Sequence, residues 1–461
     1  MIHHSLVTLG VLGGLAGSEV DGTDLDRFGG WKAIYLGGTG FFRTHHDGRR
    51  WWLVTPEGHA FLSIGVCSVH PFGDAIRGTG HRPYHANVLA KHGSVQNWAR
   101  STRDRLVRWG FNTLACWSSG DVQNMPRTVG LSFSSGVGGD WLRGGMPDYF
   151  SPAFIENAAK VATECGDRRD DPWLIGYFLD NELAWDRDWR PVPNLFDRYT
   201  ALPETAPGKQ ALCRFLEERY KTCEALGRVW TPHVSQWKDL LGVRQLTARP
   251  DQADVARSDR EAFVLHAARQ YFRTCVQAIR KVDPNHLILG SRFVSWVVPR
   301  AVVQACGDYC DVVSINFYEL GLIGSMYYQA RQPTSDWLPG QPDFEPFFAR
   351  AGKPLLISEF GFRSMDSGLP NTYPPPLAVQ PTVPTQRVRA ERYAKYVEGW
   401  MRRPFVVGYH WFEWADEPKE GRFDGENGNY GLVNIRDEPY DGFVQAVTRV
   451  NRRVWTLHRG D

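Results

Sequence analysis

Short apolar runs alternate with amphipathic stretches along most of the chain. Such runs, bounded by turn residues, are typical of buried strands. Eight of them predict strands at Phe61–Val66, Phe111–Trp117, Leu131–Val137, Trp173–Leu179, Leu287–Phe293, Val312–Tyr318, Pro354–Phe360 and Val406–Phe412. Their alternation with helical patterns indicates successive strand–helix units and a parallel sheet.

Helical periodicity fills the intervals between these strands. The segment Tyr440–Leu457 places Phe443, Val447, Val450 and Val454 at spacings of 4, 3 and 4, as the apolar face of an amphipathic helix does. Similar patterns predict helices at Val95–Gly110, Pro152–Cys165, Lys209–Leu226, Asp259–Val282 and Arg387–Arg402. Eight strands, each followed by a helix, predict an α/β fold that closes as a (β/α)8 TIM barrel.

A small β cap precedes the predicted barrel. Asp47-Gly48 separates two apolar runs, and Pro56-Glu57-Gly58 leads into a third. An Asp-Gly pair between such runs is a strong hairpin signal. The sequence therefore predicts two units, an N-terminal segment with a β-hairpin cap at residues 1–60 and the barrel at residues 61–461.

Two connections are much longer than the few residues that a strand–helix loop needs. About a hundred residues separate Glu182 from the fifth predicted strand, and the segment from Met365 to Gln386 is so rich in Pro that it predicts an extended, stiff loop. Both leave the C-terminal ends of strands, which is the face where barrel active sites are built. We expect these long loops to form the walls of a cleft.

Composition and charge narrow the range of partners. The 461 residues include 53 Lys and Arg against 51 Asp and Glu, a net charge of +2. Because basic residues are nowhere concentrated, no nucleic-acid partner is expected. No apolar run approaches the roughly 18 residues of a membrane-spanning helix, so no membrane association is expected either. The sequence does not indicate an oligomeric state.

The cysteines and the N-terminus bear on the compartment. The 8 Cys form no C-x-x-C pair, and several lie in apolar patterns, which predicts reduced and buried thiols. The first residues, MIHHSLVTLGVLGGLAGSEV, are apolar but lack the preceding Lys or Arg of a secretory signal. We therefore expect a cytoplasmic protein, with secretion as the alternative.

Two glutamates follow buried apolar runs at strand ends. Glu182 ends WLIGYFLDNE at the fourth predicted strand, and Glu359 ends KPLLISE at the seventh. These strands lie on opposite sides of a barrel mouth, so their terminal side chains can converge. Retaining glycoside hydrolysis needs two carboxyl groups about 5–5.5 Å apart. One acid at a strand end is more often a structural hydrogen-bonding group, but this pair predicts a catalytic site.

Aromatic residues support a carbohydrate substrate. The chain has 18 Trp, and several stand in irregular stretches such as GGDWLRGG, AWDRDWRP and TSDWLPG. The apolar face of a sugar ring packs on an indole while its hydroxyls stay hydrated. The alternative interpretation is that these side chains pin long loops to the barrel.

Three stretches resemble the family 50 β-agarases and their relatives among the clan A retaining glycoside hydrolases. They are DGRRWWLVTPEGHAFLSIGV, GYFLDNELAW and GYHWFEWADEPKEGRFDGENGNYGLV. With SEFGF at the seventh strand, the likeness spans roughly residues 40–440. It implies a double displacement in which Glu182 is the acid/base and Glu359 the nucleophile, with Asn181 binding the sugar 2-hydroxyl.

Other residues at predicted strand ends are candidate substrate contacts. Tyr318 in SINFY matches the clan's usual tyrosine that hydrogen-bonds the nucleophile, and we expect it and Arg292 to favour the charged form of Glu359. On the eighth strand, the stretch GYHWFEW offers His410, Trp411, Glu413 and Trp414. Strand alternation lets only one set of them face the pocket, and Trp411 is the predicted sugar platform. His70 and Arg292 are further candidates, with a plain loop-anchoring role as the alternative. Glu426 and Asn427 in FDGENGNYG are candidates to bind hydroxyls, with the shaping of a Gly-rich turn as the alternative.

The substrate stays open at this point. Family 50 agarases typically carry a large additional N-terminal carbohydrate-binding domain, whereas about 60 residues precede the first predicted strand here. The long loops beside both glutamates favour an exo-acting enzyme, and the resemblance implies β-linked, galactose-containing chains as its substrate. A β-galactosidase or β-glucosidase acting on small glycosides is equally compatible.

Two other classes of function fit the sequence less well. A metal-dependent barrel hydrolase needs His or Asp clusters at strand ends, whereas His70, His233 and His410 stand isolated. A non-catalytic carbohydrate-binding barrel would have lost one glutamate, and both are present. No phosphate-binding loop or dinucleotide fingerprint follows a strand. We expect neither a metal nor an organic cofactor.

Overall fold

The computed structural model describes residues 19–294, 297–319, 348–349, 351–372 and 382–460. Its strands are β1 (Trp31–Tyr35), β2 (Arg43–His46), β3 (Trp51–Val54), β4 (His59–Phe61), β5 (Ser63–Val66), β6 (Thr113–Leu114), β7 (Arg127–Gly130), β8 (Leu174–Phe178), β9 (Trp230–Thr231), β10 (Thr247–Ala248), β11 (Leu287–Ile288), β12 (Phe293–Val294), β13 (Val313–Asn316), β14 (Leu355–Phe360), β15 (Arg363–Ser364), β16 (Thr382–Val383) and β17 (Val406–Trp411).

The α-helices within the same ranges are α1 (Pro83–His92), α2 (Val95–Arg108), α3 (Pro152–Gly166), α4 (Leu195–Thr200), α5 (Pro207–Tyr220), α6 (Cys223–Gly227), α7 (Ala253–Arg280), α8 (Arg300–Tyr309), α9 (Gln386–Met401) and α10 (Asp441–Arg459). None of these helices has both the length and the apolar character needed to span a bilayer.

A curled, nine-stranded parallel sheet forms the centre of the mixed α/β fold. The strand order is β11-β8-β7-β6-β5-β17-β14-β13-β12. The two edge strands, β11 and β12, are consecutive pieces of one segment that is interrupted at Gly290, where φ is +80°. This one segment pairs with β8 through β11 and with β13 through β12.

Seven of the eight predicted strands overlap a strand of this sheet. The prediction at Leu131–Val137 is wrong, because the third strand is β7 and the chain turns directly after it. Ser132 has φ +59°, which breaks the extended conformation. Leu131 and Phe133 are nevertheless buried, so the apolar run reflects a buried loop.

An antiparallel sheet of order β1-β4-β3-β2 precedes the main sheet. The predicted Asp47-Gly48 turn joins β2 to β3, with φ +94° at Gly48. Apolar residues of this cap pack against interior residues of the parallel strands near their amino ends. The cluster includes Phe28, Phe42, Leu53, Phe61, Ile175, Phe178, Leu287, Leu356 and Val407. The cap thus covers the end of the sheet opposite the two glutamates.

Most of the predicted helices are confirmed. The apolar stripe Phe443, Val447, Val450 and Val454 of α10 is buried. The predicted helix Lys209–Leu226 divides into α5 and α6, because Lys221 adopts φ +65° and Thr222 caps the second helix. Sequence periodicity missed α1, α4 and α8.

The predicted state of the cysteines is confirmed. All eight thiols are free and buried. Other predictions lie partly outside the described residues: the N-terminal stretch up to residue 18, the stretch TSDWLPG, and residues 373–381 of the Pro-rich loop.

Candidate active site

Glu182 lies just after β8, and both of its carboxylate oxygens accept a hydrogen bond. Asn316 Nδ2 donates to Oε1 at 3.0 Å, and Trp141 Nε1 donates to Oε2 at 2.9 Å. The backbone N–H of Glu182 donates to the carbonyl of Arg292 at 3.3 Å. The carboxyl group is therefore held by donors from two separate parts of the chain, while the backbone of Glu182 is tied to a third.

Glu359 lies on β14 and is only 5% exposed. Arg292 donates to its Oε1 at 2.6 Å, and the Tyr318 hydroxyl donates to its Oε2 at 2.8 Å. The hydrogen bond predicted between Tyr318 and Glu359 is thus present. This carboxylate has a charged partner, whereas the donors to Glu182 are neutral.

The electrostatics of Glu359 combine opposing effects. Burial raises the pKa of Glu359 to about 7, with the charge of Glu182 acting in the same direction, while Arg292 and Tyr318 lower it. The expectation that Arg292 and Tyr318 favour the charged form therefore holds in direction, but burial outweighs them. Removing a carboxylate from water disfavours its ionised form.

Asn316 links the surroundings of the two glutamates. Its Oδ1 accepts from Ser358 Oγ at 2.7 Å, directly before Glu359 in the chain. Its amide nitrogen lies 3.2 Å from Asn181 Oδ1, besides donating to Glu182. Sequence reasoning missed this residue, although a signal existed: Asn316 stands two positions before Tyr318, so strand alternation directs both to one face.

Both glutamates line one cavity of about 570 Å³, within the usual size of small-molecule sites. Aromatic side chains and polar groups line the rest of its wall, among them His70, Asp74, Trp117, Asp180, Asn181, Phe412, Glu413, Arg422 and Phe423. Apolar surfaces beside a few polar groups suit sugar rings.

Strained backbone conformations concentrate around this cavity. Ser68, Trp117, Ser132, Glu182 and Arg292 all have positive φ between +45° and +65°. The first four stand two to four residues after the end of a strand of the main sheet, and Arg292 lies between β11 and β12. Such non-glycine conformations cost on the order of 1–3 kcal/mol each and are common at functional sites.

The amino-acid sequence of this chain is similar to those of two β-agarases. No family model matches the chain. β-Agarase B of Vibrio sp. (strain JT0107) is 28% identical over 504 residues, which cover 93% of this chain and 50% of that protein. β-Agarase A of the same strain is 28% identical over 468 residues, 87% of this chain and 44% of its own length. The chain thus spans about half the length of the curated relatives it matches.

Solved structures agree with this comparison. An exo-β-agarase has a TM-score of 0.81 at 27% identity, covering 96% of this chain and 69% of that one. A second agarase has a TM-score of 0.80 at 26% identity, covering 94% and 68%. The chain resembles the family 50 β-agarases.

Two of the predicted substrate contacts on β17 are wrong. Trp411 is fully buried, packs against Phe360 and Phe443, and donates to the Tyr430 carbonyl at 2.9 Å. Strand alternation directs it toward α9 and α10, away from the cavity. His410 faces inward but is also fully buried, with Nε2 2.9 Å from Ser63 Oγ.

The other predicted contacts divide into three groups. Arg292 is fully buried and contacts Glu359 instead of lining the cavity. Glu426 pairs with Arg422 at 2.8 Å and Asn427 accepts from the Thr372 N–H at 2.7 Å, which fits the turn-shaping alternative. His70 lines the cavity, and its role in binding substrate stays a prediction.

The tryptophans of the irregular stretches lie in different surroundings. Trp141 in GGDWLRGG lines the cavity, as the sugar-platform interpretation predicts. Trp185 in AWDRDWRP stacks on Tyr149 at 5.4 Å in the core, as the loop-pinning interpretation predicts.

Glu413 is a cavity residue that sequence reasoning passed over in favour of Trp411. It follows β17, lines the cavity and is only 4% exposed. Burial and the nearby Asp74 raise its pKa well above the usual range. Its Oε1 is buried without a hydrogen-bond partner among the described residues. An oxygen of this kind at a cavity wall is ready to bind a ligand hydroxyl.

Proposed function

We propose that this chain is a retaining β-glycoside hydrolase that releases units from the ends of agarose-like, β-linked galactose-containing saccharides. The observation that carries the proposal is the pair Glu182 and Glu359, which line one cavity in different hydrogen-bond surroundings. The resemblance to β-agarases over most of the chain supports it.

The proposed reaction has two steps. In the first, the Glu359 carboxylate forms a bond to the anomeric carbon, the bond from that carbon to the leaving oxygen breaks, and Glu182 gives its proton to the leaving oxygen. In the second, Glu182 takes a proton from water while the water oxygen displaces Glu359. The chemistry needs two carboxyl groups and no metal.

Asn181 is proposed to bind the sugar 2-hydroxyl. Its Oδ1 lies 3.2 Å from the Asn316 amide nitrogen, an arrangement that turns the Asn181 NH2 group toward other partners. A donor at the 2-oxygen forms a contact that strengthens in the oxocarbenium-like transition state. His70 and Glu413, which line the same cavity, are proposed to bind further hydroxyls.

The strand pairing supports a closed barrel. Because β11 and β12 belong to one segment and pair with β8 and β13, we infer that the sheet closes as a (β/α)8 barrel spanning residues 61–461. Glu182 and Glu359 then stand at the carboxyl ends of the fourth and seventh strands, the face that bears barrel active sites.

Exo action is proposed from the long connection after Glu182. It holds α4, α5, α6, β9, β10 and α7, and its first residues, among them Leu183, Ala184 and Arg190, line the cavity. One solved relative is described as an exo-β-agarase. Small products should therefore appear from agarose before its viscosity falls. An early fall in viscosity would instead indicate cuts within the chain and contradict exo action.

Chemical rescue tests the assignment of the two glutamates. With an activated aryl glycoside and azide, Glu182→Ala should accumulate the covalent intermediate and release a β-glycosyl azide. Glu359→Gly should give an α-glycosyl azide, because azide enters from the side of the missing nucleophile. Glu57→Ala, a change in the N-terminal cap, serves as the control. Reversed anomers would reverse the roles, and an inverted first product from the wild type would exclude retention.

Substrate screening tests the sugar. Agaro-oligosaccharides and aryl β-galactosides are compared at equal concentration, with and without EDTA. We expect turnover of agaro-oligosaccharides that is insensitive to the chelator. Turnover of the aryl galactosides alone would favour a small-glycoside β-galactosidase, and binding without turnover would favour a non-catalytic carbohydrate-binding barrel.

A further inference from the structure

Trp141 contacts the proposed acid/base directly. Its Nε1 donates to Glu182 Oε2 at 2.9 Å, and its ring lies beside Phe423 and Trp189 at centroid distances of 6.2 and 6.4 Å. An indole N–H is a donor only. It therefore always offers a hydrogen to the same carboxyl group.

The two donors to Glu182 are anchored differently. Asn316 belongs to β13, is only 1% exposed, and accepts a hydrogen bond from Ser358 at 2.7 Å. Trp141 stands in the irregular connection between β7 and α3 and is partly exposed at the cavity. The sheet fixes Asn316, whereas the position of Trp141 requires another anchor.

Arg190 supplies that anchor. Its Nη1 donates to the Trp141 carbonyl at 2.7 Å, and its Nη2 donates to the Glu182 carbonyl at 2.8 Å. Asp188 holds the guanidinium through Nε at 3.1 and 3.0 Å, and both residues of this pair are buried. Because the guanidinium is a rigid, planar fork, it keeps the two backbone segments at a fixed separation.

This arrangement matters for acid catalysis. A carboxylate offers about four acceptor positions, of which Trp141 and Asn316 each occupy one, on different oxygens. Two such donors restrict rotation of the carboxyl plane and leave a position on each oxygen for the catalytic proton. A general acid must lie within hydrogen-bond reach of the leaving oxygen, and displacement of a reacting group by about 1 Å can cost about 100-fold in rate.

We propose that Trp141 is a positioning residue for proton transfer to the leaving group, acting through its indole N–H on Glu182. The proposal rests on the proposed function, because it requires Glu182 to be the acid. A role of the ring alone, as a stacking surface for sugar, would use no hydrogen bond. The two roles differ in which substrates they affect.

The test compares leaving groups. Trp141→Phe removes the N–H and keeps an aromatic ring, and Trp189→Phe is the matched control, because Trp189 packs on Trp141 outside the hydrogen bonds to Glu182. An agaro-oligosaccharide has a sugar leaving group that needs the proton. The dinitrophenyl glycoside of the same sugar unit has a leaving group that departs without it.

We expect Trp141→Phe to lower kcat for the oligosaccharide by about 10- to 100-fold, a fraction of what general acid catalysis contributes. The rate of the glycosylation step with the dinitrophenyl glycoside, measured from the burst of released phenol, should change by less than about threefold. Trp189→Phe should leave the ratio of the two rates at the wild-type value. Trp141→His, which can present a ring N–H, should recover part of the loss.

Equal losses with both substrates, or a rise in KM alone, would overturn the proposal and leave Trp141 as a stacking surface. Circular dichroism of each variant shows whether a loss of activity comes from misfolding. If Trp141→Phe does not fold, Trp141→His is compared with the wild type in the same two assays. Failure of the wild type to hydrolyse either substrate would refute the proposed function itself. An active Trp141→Phe enzyme with the wild-type ratio of the two rates would refute only the role of Trp141.

Discussion

Arg292 and Glu359 form a buried ion pair, with Arg292 Nη2 2.6 Å from Glu359 Oε1. The arginine side chain also lies over the Trp117 ring, 4.2 Å from its centroid. Arg292 is fully buried, and Glu359 nearly so. A buried carboxylate ionises readily only beside a compensating charge. Arg292 therefore controls whether the proposed nucleophile is charged at a given pH.

Removing this arginine should shift the pH dependence of activity. Only ionised Glu359 can attack, so the acidic limb of the wild-type kcat/KM profile should lie near the Glu359 pKa of about 7. Arg292→Met removes a charge that lowers this pKa, so the acidic limb should move to higher pH and activity at neutral pH should fall. Arg269→Met, which removes a surface ion pair with Asp308, is the control. An unshifted limb in Arg292→Met would contradict this role.

Tyr318→Phe should impair catalysis while leaving the fold intact. It deletes a hydroxyl that donates to Glu359 Oε2 at 2.8 Å. Hydrogen bonds to charged groups contribute about 1.5–3 kcal/mol, which corresponds to a loss of about 10- to 150-fold in kcat/KM. The matched control is Tyr396→Phe, whose hydroxyl donates to the Phe317 carbonyl at 2.7 Å. Similar kinetics of the two variants would exclude a specific role for Tyr318.

The unfolding free energy of Glu359→Gln should increase relative to that of the wild type as the pH rises. The folded-state pKa of Glu359, about 7, lies above its ordinary 4.5, so its contribution to stability is present below about pH 4.5 and is lost as the pH rises through about 7. Gln does not ionise. The difference in unfolding free energy between variant and wild type should therefore grow by as much as about 3 kcal/mol between about pH 4.5 and about pH 8. Denaturant titrations measure it, and a pH-independent difference would contradict the raised pKa.

Glu413 should contribute to binding through a neutral carboxyl group. Burial raises its pKa well above the usual range, so Glu413→Gln should keep a KM close to that of the wild type at neutral pH. Glu413→Ala removes the carboxyl group that is proposed to bind a substrate hydroxyl. It should raise KM by about 10-fold with little change in kcat, as happens when a contact of equal strength in the ground state and the transition state is lost. A KM unchanged in Glu413→Ala would exclude contact with substrate.

Asp437→Asn should destabilise the protein without changing the activity of folded molecules. Asp437 accepts hydrogen bonds from Arg105 at 2.9 Å, His92 at 2.8 Å and Tyr84 at 2.8 Å, all away from the cavity. Asn tolerates the backbone conformation of φ +58° but leaves buried Arg105 without its counter-charge, at a cost of about 3–5 kcal/mol. The control Asp308→Asn, in a surface ion pair, should cost less than about 1 kcal/mol. Equal unfolding free energies for the two variants would contradict this.

Much of the fold follows from local signals in the sequence. The apolar run of β14 identifies a strand before Glu359, and the stripe of α10 identifies a buried helix face. Apolar spacing reports which residues are buried, because burial of a helix or strand face follows its own period. The two glutamates are also evident from the sequence, since each ends a strand-like run. The same reasoning failed at Leu131–Val137, where a loop is buried as deeply as a strand.

The direction of side chains required the tertiary structure. Among the residues that the sequence offered at the eighth strand, His410 and the preferred Trp411 do not reach the cavity, whereas Glu413 does. Position within a strand gives the alternation of side chains, but strand twist and the point where the strand ends decide which residue faces the cavity.

The surroundings of the two glutamates were decided by the tertiary structure as well. Trp141 and Asn316 contact Glu182 from 41 and 134 positions away in the chain. Positive φ at Glu182 and Arg292 is likewise a feature that the sequence analysis did not predict. The sequence by itself thus determines most of the strands, the longer helices and the positions of the two acids, because these depend on neighbouring residues. Burial and hydrogen bonds between distant segments depend on how loops and strands pack in three dimensions, and they set the pKa of Glu359 and the orientation of both acids.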